Sequence, residues 1–320
     1  RRRPMLILTT TRLTDGIEQE LIQEFGEIRF IFKENIEAAD NHLEEADILL
    51  TFGSDIRREH IEKATKLKWI MVLSAGINQM PLGEIRERKI LLTNVRGIHK
   101  TQMAEYALAM LLNHYQNLIT YYKRQQEKVW DKSIKRREIN GRTLTVVGAG
   151  SIGSELARLA KAFHMKTIAV TNSGGERPYF DQVYQNDQIK EALEQADFIV
   201  SILPETEKTK GYYSKDHFKW MKQSAIFLNM GRGSAVTENV LLQALNDNEI
   251  EHAILDVTPI EPLPRESQLW SHKKVTLTPH ISGGSEQYIP RAVALFRESL
   301  MEFLETGTVS INKINIDKGY

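Results

Sequence analysis

The chain contains no cysteine. That excludes disulfides, thiolate metal centres and a cysteine nucleophile. Net charge is also absent, since 42 Lys plus Arg balance 42 Asp plus Glu. Binding that rests on overall charge, to nucleic acid or to an anionic membrane, is thereby disfavoured. No apolar run approaches the ~20 residues of a membrane span. Arg1-Arg2-Arg3 precedes Met5-Leu6-Ile7-Leu8, but the apolar stretch ends too soon for a signal peptide. Met5 reads as a natural start and the residues before it as an addition. His, Asp and Glu occur without tight ligand spacing, so no metal is expected. There is no repeat of fixed period and no low-complexity tract. These absences lead to the expectation of a soluble, cytoplasmic protein.

What is present is enough for about two domains: 320 residues, 41% of them hydrophobic. Apolar, β-branched runs at 5–10, 28–32, 46–52, 68–73 and 90–95 read as strands. Helical segments at 14–25 and 36–45 alternate with them, which makes a parallel α/β sheet the economical reading. The longest helical candidate is 101–125, with Met103, Ala107, Met110, Leu111, His114, Leu118 and Tyr121 on one stripe. A helix of that length suits a crossing from one domain to the next. The charged run from Lys123 to Arg137 reads as a solvated helix end and loop.

A second series opens at 143. Thr143-Leu144-Thr145-Val146-Val147 reads as a strand buried on both faces, and Gly148-Ala149-Gly150-Ser151-Ile152-Gly153 interrupts it. Apolar positions 152, 156, 159, 160 and 163 then recur at helical spacing. Strand, glycine turn and helix start together make a phosphate site. Gly148 permits the tight turn, Gly150 lets backbone approach a pyrophosphate, and Gly153 lets helix lie close on strand. The exposed N–H groups and positive end of the helix dipole hold the anion. Further strands at 166–171, 197–203, 224–230, 252–257 and 275–280, with helices near 187–195, 215–222 and 237–246, complete a doubly wound nucleotide domain. The last amphipathic helix, 288–305, follows the sixth strand of this series and is expected to return to the first domain. Two such halves facing each other would leave a ligand cleft.

Motifs gather at the carboxyl ends of these strands: Ser201-Ile202-Leu203-Pro204, Asn229-Met230-Gly231-Arg232-Gly233, Leu255-Asp256-Val257-Thr258-Pro259-Ile260-Glu261, and Thr278-Pro279-His280-Ile281-Ser282-Gly283. In an open parallel sheet those ends line the ligand crevice, so an arginine, a glutamate and a histidine reach one rim. With the Ser-Ala-Gly loop at 74–76, the chain resembles the D-isomer-specific 2-hydroxyacid dehydrogenase family, which includes glyoxylate/hydroxypyruvate reductases and phosphoglycerate dehydrogenases.

The resemblance implies a Rossmann NAD(P)-binding domain, 99–284, inserted into a flavodoxin-like substrate domain made of 1–98 and 285–320. It implies hydride transfer between NAD(P)H and a small 2-oxo acid or D-2-hydroxy acid. Arg232 would hold the substrate carboxylate and 2-oxo group with its permanently charged, planar fork of donors. His280 would exchange the proton of the carbonyl oxygen, and Glu261 would hydrogen-bond its other nitrogen. Ser74, Ala75 and Gly76 would grip the carboxylate through backbone N–H groups. Many relatives carry aspartate where Asn78 stands. Asp256 matches the residue that receives the nicotinamide carboxamide, and Glu105 is expected to be a structural anchor. Besides Gly148, Gly150, Ser151, Ile152 and Gly153, cofactor contacts are implied for Thr171, Asn172, Ser173, Leu203, Pro204, Thr209, Met230, Gly231, His280 and Gly283. Substrate selectivity would come from residues near 52–54, 74–80 and 270–285, and Trp270 could either line the pocket or pack in the core.

Cofactor choice is open to a charge argument. NAD-specific sites place an acidic residue ~20 positions beyond the glycines. Thr171 stands there instead, followed by Asn172, Ser173 and Arg177. Loss of a negative charge and gain of a positive one favour NADP; Glu176 and Asp181 weigh against it. A homodimer is implied by the resemblance. A nucleotide-sensing corepressor is the alternative on the same fold. Formate dehydrogenase relatives, which carry glutamine where Glu261 stands, are disfavoured.

Overall fold

The computed structural model describes residues 3–74, 76, 77 and 79–316. Two compact units are present: Arg1–Ile98 with Ser285–Tyr320, and His99–Gly284.

The first unit begins β1 (Leu6–Thr10), α1 (Asp15–Glu24), β2 (Arg29–Lys33), α2 (Ile36–Ala39), β3 (Ile48–Thr51), α3 (Arg58–Lys63), β4 (Trp69–Val72), α4 (Leu82–Glu87) and β5 (Leu91–Asn94). The strands form one parallel sheet in the order β2-β1-β3-β4-β5. Side chains alternate across it with period two. In β4, Ile70 and Val72 enter the apolar cluster on one face, while Trp69 and Met71 enter the cluster on the other. Burial on both faces explains why these strands read as continuous apolar runs. The helix expected at 36–45 is shorter: α2 ends at Ala39 and a 3₁₀ segment, Asp40–Glu45, follows.

The second unit opens with α5 (Lys100–Gln116) and α6 (Leu118–Gln126), then β6 (Thr143–Val147), α7 (Ser151–Ala162), β7 (Lys166–Thr171), β8 (Gln182–Gln185), α8 (Ile189–Gln195), β9 (Phe198–Ser201), α9 (Lys215–Trp220), β10 (Ile226–Asn229), α10 (Glu238–Asn246), β11 (His252–Leu255) and β12 (Val275–Leu277). The last helix, α11 (Tyr288–Thr306), belongs to the first unit and covers one face of its sheet with Ala292, Val293, Phe296, Leu300 and Phe303. The Trp69 ring lies 5.6 Å from Phe296 and 5.3 Å from Phe303. The Trp69 indole N–H donates to Thr93 Oγ1 at 2.9 Å, so the buried polar atom is satisfied.

The seven strands of the second unit are parallel, in the order β12-β11-β10-β9-β6-β7-β8. The first strand of this unit, β6, lies inside the sheet, flanked by β7 and β9. Chain direction along the sheet therefore reverses at β6, and a crevice opens beyond its carboxyl end. Apolar clusters cover both faces.

Two further features depart from the sequence reading. The helix expected over 101–125 breaks at Asn117, which adopts φ +54°. Asparagine tolerates that left-handed geometry, and its Nδ2 donates to Lys135 O at 2.7 Å. The apolar stripe runs past the break because periodicity does not register a single backbone reversal. The edge strand β8 was not expected: its Gln-Val-Tyr-Gln is short and carries only two apolar residues.

The segment after α6 is largely exposed, Trp130 at 89%. It is nonetheless tied down at its far end, where Arg137 makes two bonds to Glu251 at 2.8 and 2.5 Å. His114 also meets Glu251, at 3.0 Å, and its ring lies 4.4 Å from that of His252. Among the described residues, no helix is long and apolar enough to cross a membrane.

Candidate active site

The glycine turn sits where β6 leaves the sheet. Gly148 has φ +88°, and a Cβ there would lie 2.9 Å from Ile202 O, against the end of β9. Only glycine meets both demands. A Cβ on Gly153 already touches Val146 Cγ1 at 3.0 Å, so a larger residue would push α7 off the strand. Gly150 differs, because nothing lies within 4 Å of its Cβ position. The protein leaves open space there, and no side chain caps the first turn of α7. Its N–H groups therefore still want acceptors. Open space, unfilled donors and a positive dipole end fit a pyrophosphate.

Arg232 follows β10. Its two flanking glycines are required by neighbouring backbone. A Cβ on Gly231 would lie 2.6 Å from both Leu203 N and O, and one on Gly233 1.9 Å from Thr258 O. The Gly-Arg-Gly segment thus threads between the loops that leave β9 and β11. Buried Asn229 clamps it: its Oδ1 accepts from Gly231 N at 3.2 Å and its Nδ2 donates to Arg232 O at 3.1 Å. One guanidinium nitrogen donates to Gly231 O at 2.8 Å. No carboxylate among the described residues pairs with Arg232, so its charge is available to a ligand anion. This is unlike a structural ion pair.

Glu261 and His280 come from the loops after β11 and β12. His280 Nδ1 lies 2.7 Å from Glu261 Oε2, and Thr258 N donates to Glu261 Oε1 at 3.1 Å. A carboxylate only accepts, so Nδ1 carries the proton of that bond and Nε2 is left for other chemistry. The two side chains remain 48% and 38% exposed, so the pair is reachable by a ligand.

Asp256, 1% exposed, organises the turn that carries His280. Its Oδ1 accepts from Thr278 Oγ1 at 2.6 Å and Ile281 N at 2.9 Å. Its Oδ2 accepts from Ser282 N at 2.9 Å and retains room for one further donor. Its backbone carbonyl takes the His280 N–H at 2.8 Å.

The other predicted positions behave unevenly. Met230 and Leu203 are buried among core side chains, so what they can offer a ligand is backbone. Thr209 Oγ1 donates to Pro204 O at 2.5 Å and closes the 204–209 turn. Gly283 O accepts from Gln102 Nε2 at 3.0 Å. Exposed Ser151 and half-buried Ile152 occupy the first turn of α7. At the end of β7, Thr171 Oγ1 accepts from Gly174 N at 3.0 Å, Asn186 bonds Asn172, and an Arg177 guanidinium nitrogen donates to Ser173 Oγ at 3.0 Å. Arg177 Nε is enclosed and has no hydrogen-bond partner among the described residues. Asp181 does not compete for that place: it pairs with Lys161 at 2.5 Å and accepts from Thr167 N at 2.8 Å, at the opposite end of β7.

In the first unit, Ser74 Oγ donates to Gly76 O at 2.7 Å; Ala75 and Asn78 lie outside the described residues. Glu105 is exposed and its side chain makes no bond among the described residues; buried Gln102 and half-buried Tyr106 are the anchors on the same helix. Trp270 is exposed, its indole N–H donating to Pro264 O at 2.9 Å, so it does not pack in the core. Sequence reasoning passed over His99, whose Cδ2 lies 3.2 Å from the Cβ position of Gly283. Burial, reinforced by the charge of Arg232, pushes the His99 pKa down. Its place directly before α5 gave no signal in a chain with nine histidines.

A turn shaped for a pyrophosphate, beside a carboxylate-backed imidazole and an unpaired arginine, places the protein among NAD(P)-dependent dehydrogenases. The family model for the NAD binding domain of D-isomer specific 2-hydroxyacid dehydrogenases matches residues 108–282. The chain belongs to this family. Glyoxylate/hydroxypyruvate reductase B of Enterobacter sp. (strain 638) is 30% identical over 322 residues, 98% of each chain. D-3-phosphoglycerate dehydrogenase of Methanocaldococcus jannaschii is 29% identical over 95% of this chain, which spans 59% of that protein's length. A D-isomer specific 2-hydroxyacid dehydrogenase family protein from Aeromonas salmonicida subsp. salmonicida A449 has a crystal structure alike at TM-score 0.87 and 33% identity, with 98% of this chain and 100% of that one covered.

Proposed function

We propose that the protein reduces a small 2-oxo acid to the D-2-hydroxy acid with NADPH. The bound cofactor supplies the hydride. Arg232 binds the substrate carboxylate and draws charge toward the 2-oxo oxygen. His280 gives its Nε2 proton to that oxygen as it becomes an alkoxide, and takes it back in the oxidation direction. Glu261 holds the ring in orientation and stabilises its charged form through Nδ1. Asp256 offers the remaining acceptor position of Oδ2 to the carboxamide. The observation that carries this reading is the 2.7 Å bond between Glu261 and His280.

The preference for NADPH rests on the end of β7. No acidic side chain stands at Thr171, Asn172 or Ser173, and the Arg177 guanidinium lies against Ser173. That combination suits a 2′-phosphate and would leave a ribose diol without its usual carboxylate partner. The unit Arg1–Ile98 with Ser285–Tyr320 then serves the substrate, and the active species is a homodimer. Steady-state rates across glyoxylate, hydroxypyruvate and branched 2-oxo acids, each with NADPH and NADH, test the reading. Turnover at least tenfold faster in kcat/KM with NADPH is expected. Faster turnover with NADH overturns the cofactor assignment, and nucleotide binding without turnover would favour a sensor.

A further inference from the structure

Asp256 brackets His280 from both sides, because its carbonyl takes the His280 N–H and its carboxylate takes the next two backbone N–H groups. The turn it holds is not a relaxed one. His280 adopts φ +55°, a conformation that non-glycine residues enter only when their surroundings enforce it. Whatever orients the Asp256 carboxylate therefore orients the proton donor.

Two hydroxyls stand behind that carboxylate. Thr278 Oγ1 lies 2.6 Å from Asp256 Oδ1, and Tyr106 Oη lies 2.6 Å from Thr278 Oγ1. The direction of the chain follows from proton counting. An ionised carboxylate only accepts, so the single hydroxyl proton of Thr278 goes to Asp256. Thr278 is then an acceptor toward the phenol, and Tyr106 must donate. Burial pushes the Tyr106 pKa up to about 12, so the phenol stays protonated across any ordinary assay pH. Tyr106 sits on α5, so this chain of bonds ties the longest helix of the unit to the loop after β12.

We infer that Tyr106 and Thr278 are positioning residues for the reduction, acting through Asp256 to hold His280 in its strained turn. The inference rests on His280 being the proton donor. Both hydroxyls bond within the protein, Tyr106 to Thr278 and Thr278 to Asp256, and act on the reaction only through that carboxylate. Their removal should lower the fraction of molecules with the imidazole aligned, and so lower kcat while leaving ground-state binding alone.

The test is a double-mutant cycle on the full chain, with NADPH and the best 2-oxo acid. Y106F keeps the ring and its packing and removes only the donor. It is expected to lower kcat about tenfold, with both KM values and the NADPH Kd within twofold of wild type. T278V should lose at least as much, and T278S, which keeps the hydroxyl, should recover most of that loss. Because both act on one chain of bonds, Y106F added to T278V should cost little more than T278V alone. Unchanged kcat in Y106F, with or without a lower melting temperature, overturns the inference. Losses that multiply in the double variant overturn it too. H280Q is assayed alongside. Inactive H280Q with fully active Y106F refutes the relay and leaves the proton donor standing, whereas active H280Q refutes both.

Discussion

Gly233 offers a sharp perturbation. A Cβ there would lie 1.9 Å from Thr258 O, 2.0 Å from Thr258 C and 2.6 Å from Pro259 N, all backbone atoms. Ordinary contact begins at 3.4 Å, so Gly233→Ala must part the 232–233 and 258–259 segments by about 1.5 Å. The first segment carries Arg232. The second hydrogen-bonds Glu261 through Thr258 N and thereby bears on His280. The substitution thus drives Arg232, the proposed carboxylate-binding group, away from His280, the proposed proton donor. A displacement of this order in a reacting geometry costs on the order of 100-fold in rate, or about 2.7 kcal/mol. Overpacking adds roughly 1–3 kcal/mol of lost stability. Gly16→Ala is the control, since α1 has nothing within 4 Å of that Cβ position and φ is not positive. The assay is kcat/KM for the best 2-oxo acid, with circular dichroism to confirm folding. A folded Gly233→Ala protein within threefold of wild type would refute the argument that Arg232 and the Glu261–His280 pair work as one rigid set.

Other outcomes follow from the same geometry. Burial would push the Glu251 carboxyl up, but bonds from His114 and Arg137 outweigh it and hold it at about 2. Burial, with the charge of His114, pushes His252 down to about 4. Both folded pKa values lie below their unfolded ones, so acid costs stability: through His252 between about pH 6.5 and 4, and through Glu251 between about 4.5 and 2. With the partly exposed Glu251 discounted, His252 alone makes the fall from pH 7 to 4 about 3 kcal/mol, read by urea unfolding, and Glu251→Gln should remove the further part below pH 4.5. Arg177→Ala should raise KM for NADPH about tenfold and change KM for NADH little; equal effects on the two would remove Arg177 from the phosphate site. Glu261→Gln should lower kcat by roughly 10²-fold without weakening nucleotide binding, as a loss of support for the imidazolium requires.

Much of this was legible in the chain because the informative residues are local. The apolar runs that became β1, β3, β4, β6, β9 and β10 are buried on both faces, and continuous hydrophobicity reports that directly. The glycine turn announces itself because its constraint, close backbone approach, falls on residues adjacent in sequence. Features set by long-range contacts left no such trace. The break at Asn117 depends on a bond to Lys135, and the edge strand β8 depends on pairing with β7. Asn229 looked like one more residue of a motif until its side chain was seen to clamp the backbone on both sides of Gly231. Tyr106 belongs to none of the motifs in the sequence, and its hydroxyl meets Thr278 across 172 residues of chain. Asp181 looked acidic enough to oppose a 2′-phosphate, and only the fold shows it turned to Lys161 instead.

The most direct measurement is single-turnover reduction of a 2-oxo acid by the NADPH-loaded protein, wild type against His280→Gln. The account predicts a rate at least 10²-fold lower in the variant, with NADPH affinity within twofold. A His280→Gln protein that reduces the substrate at the wild-type rate would contradict it.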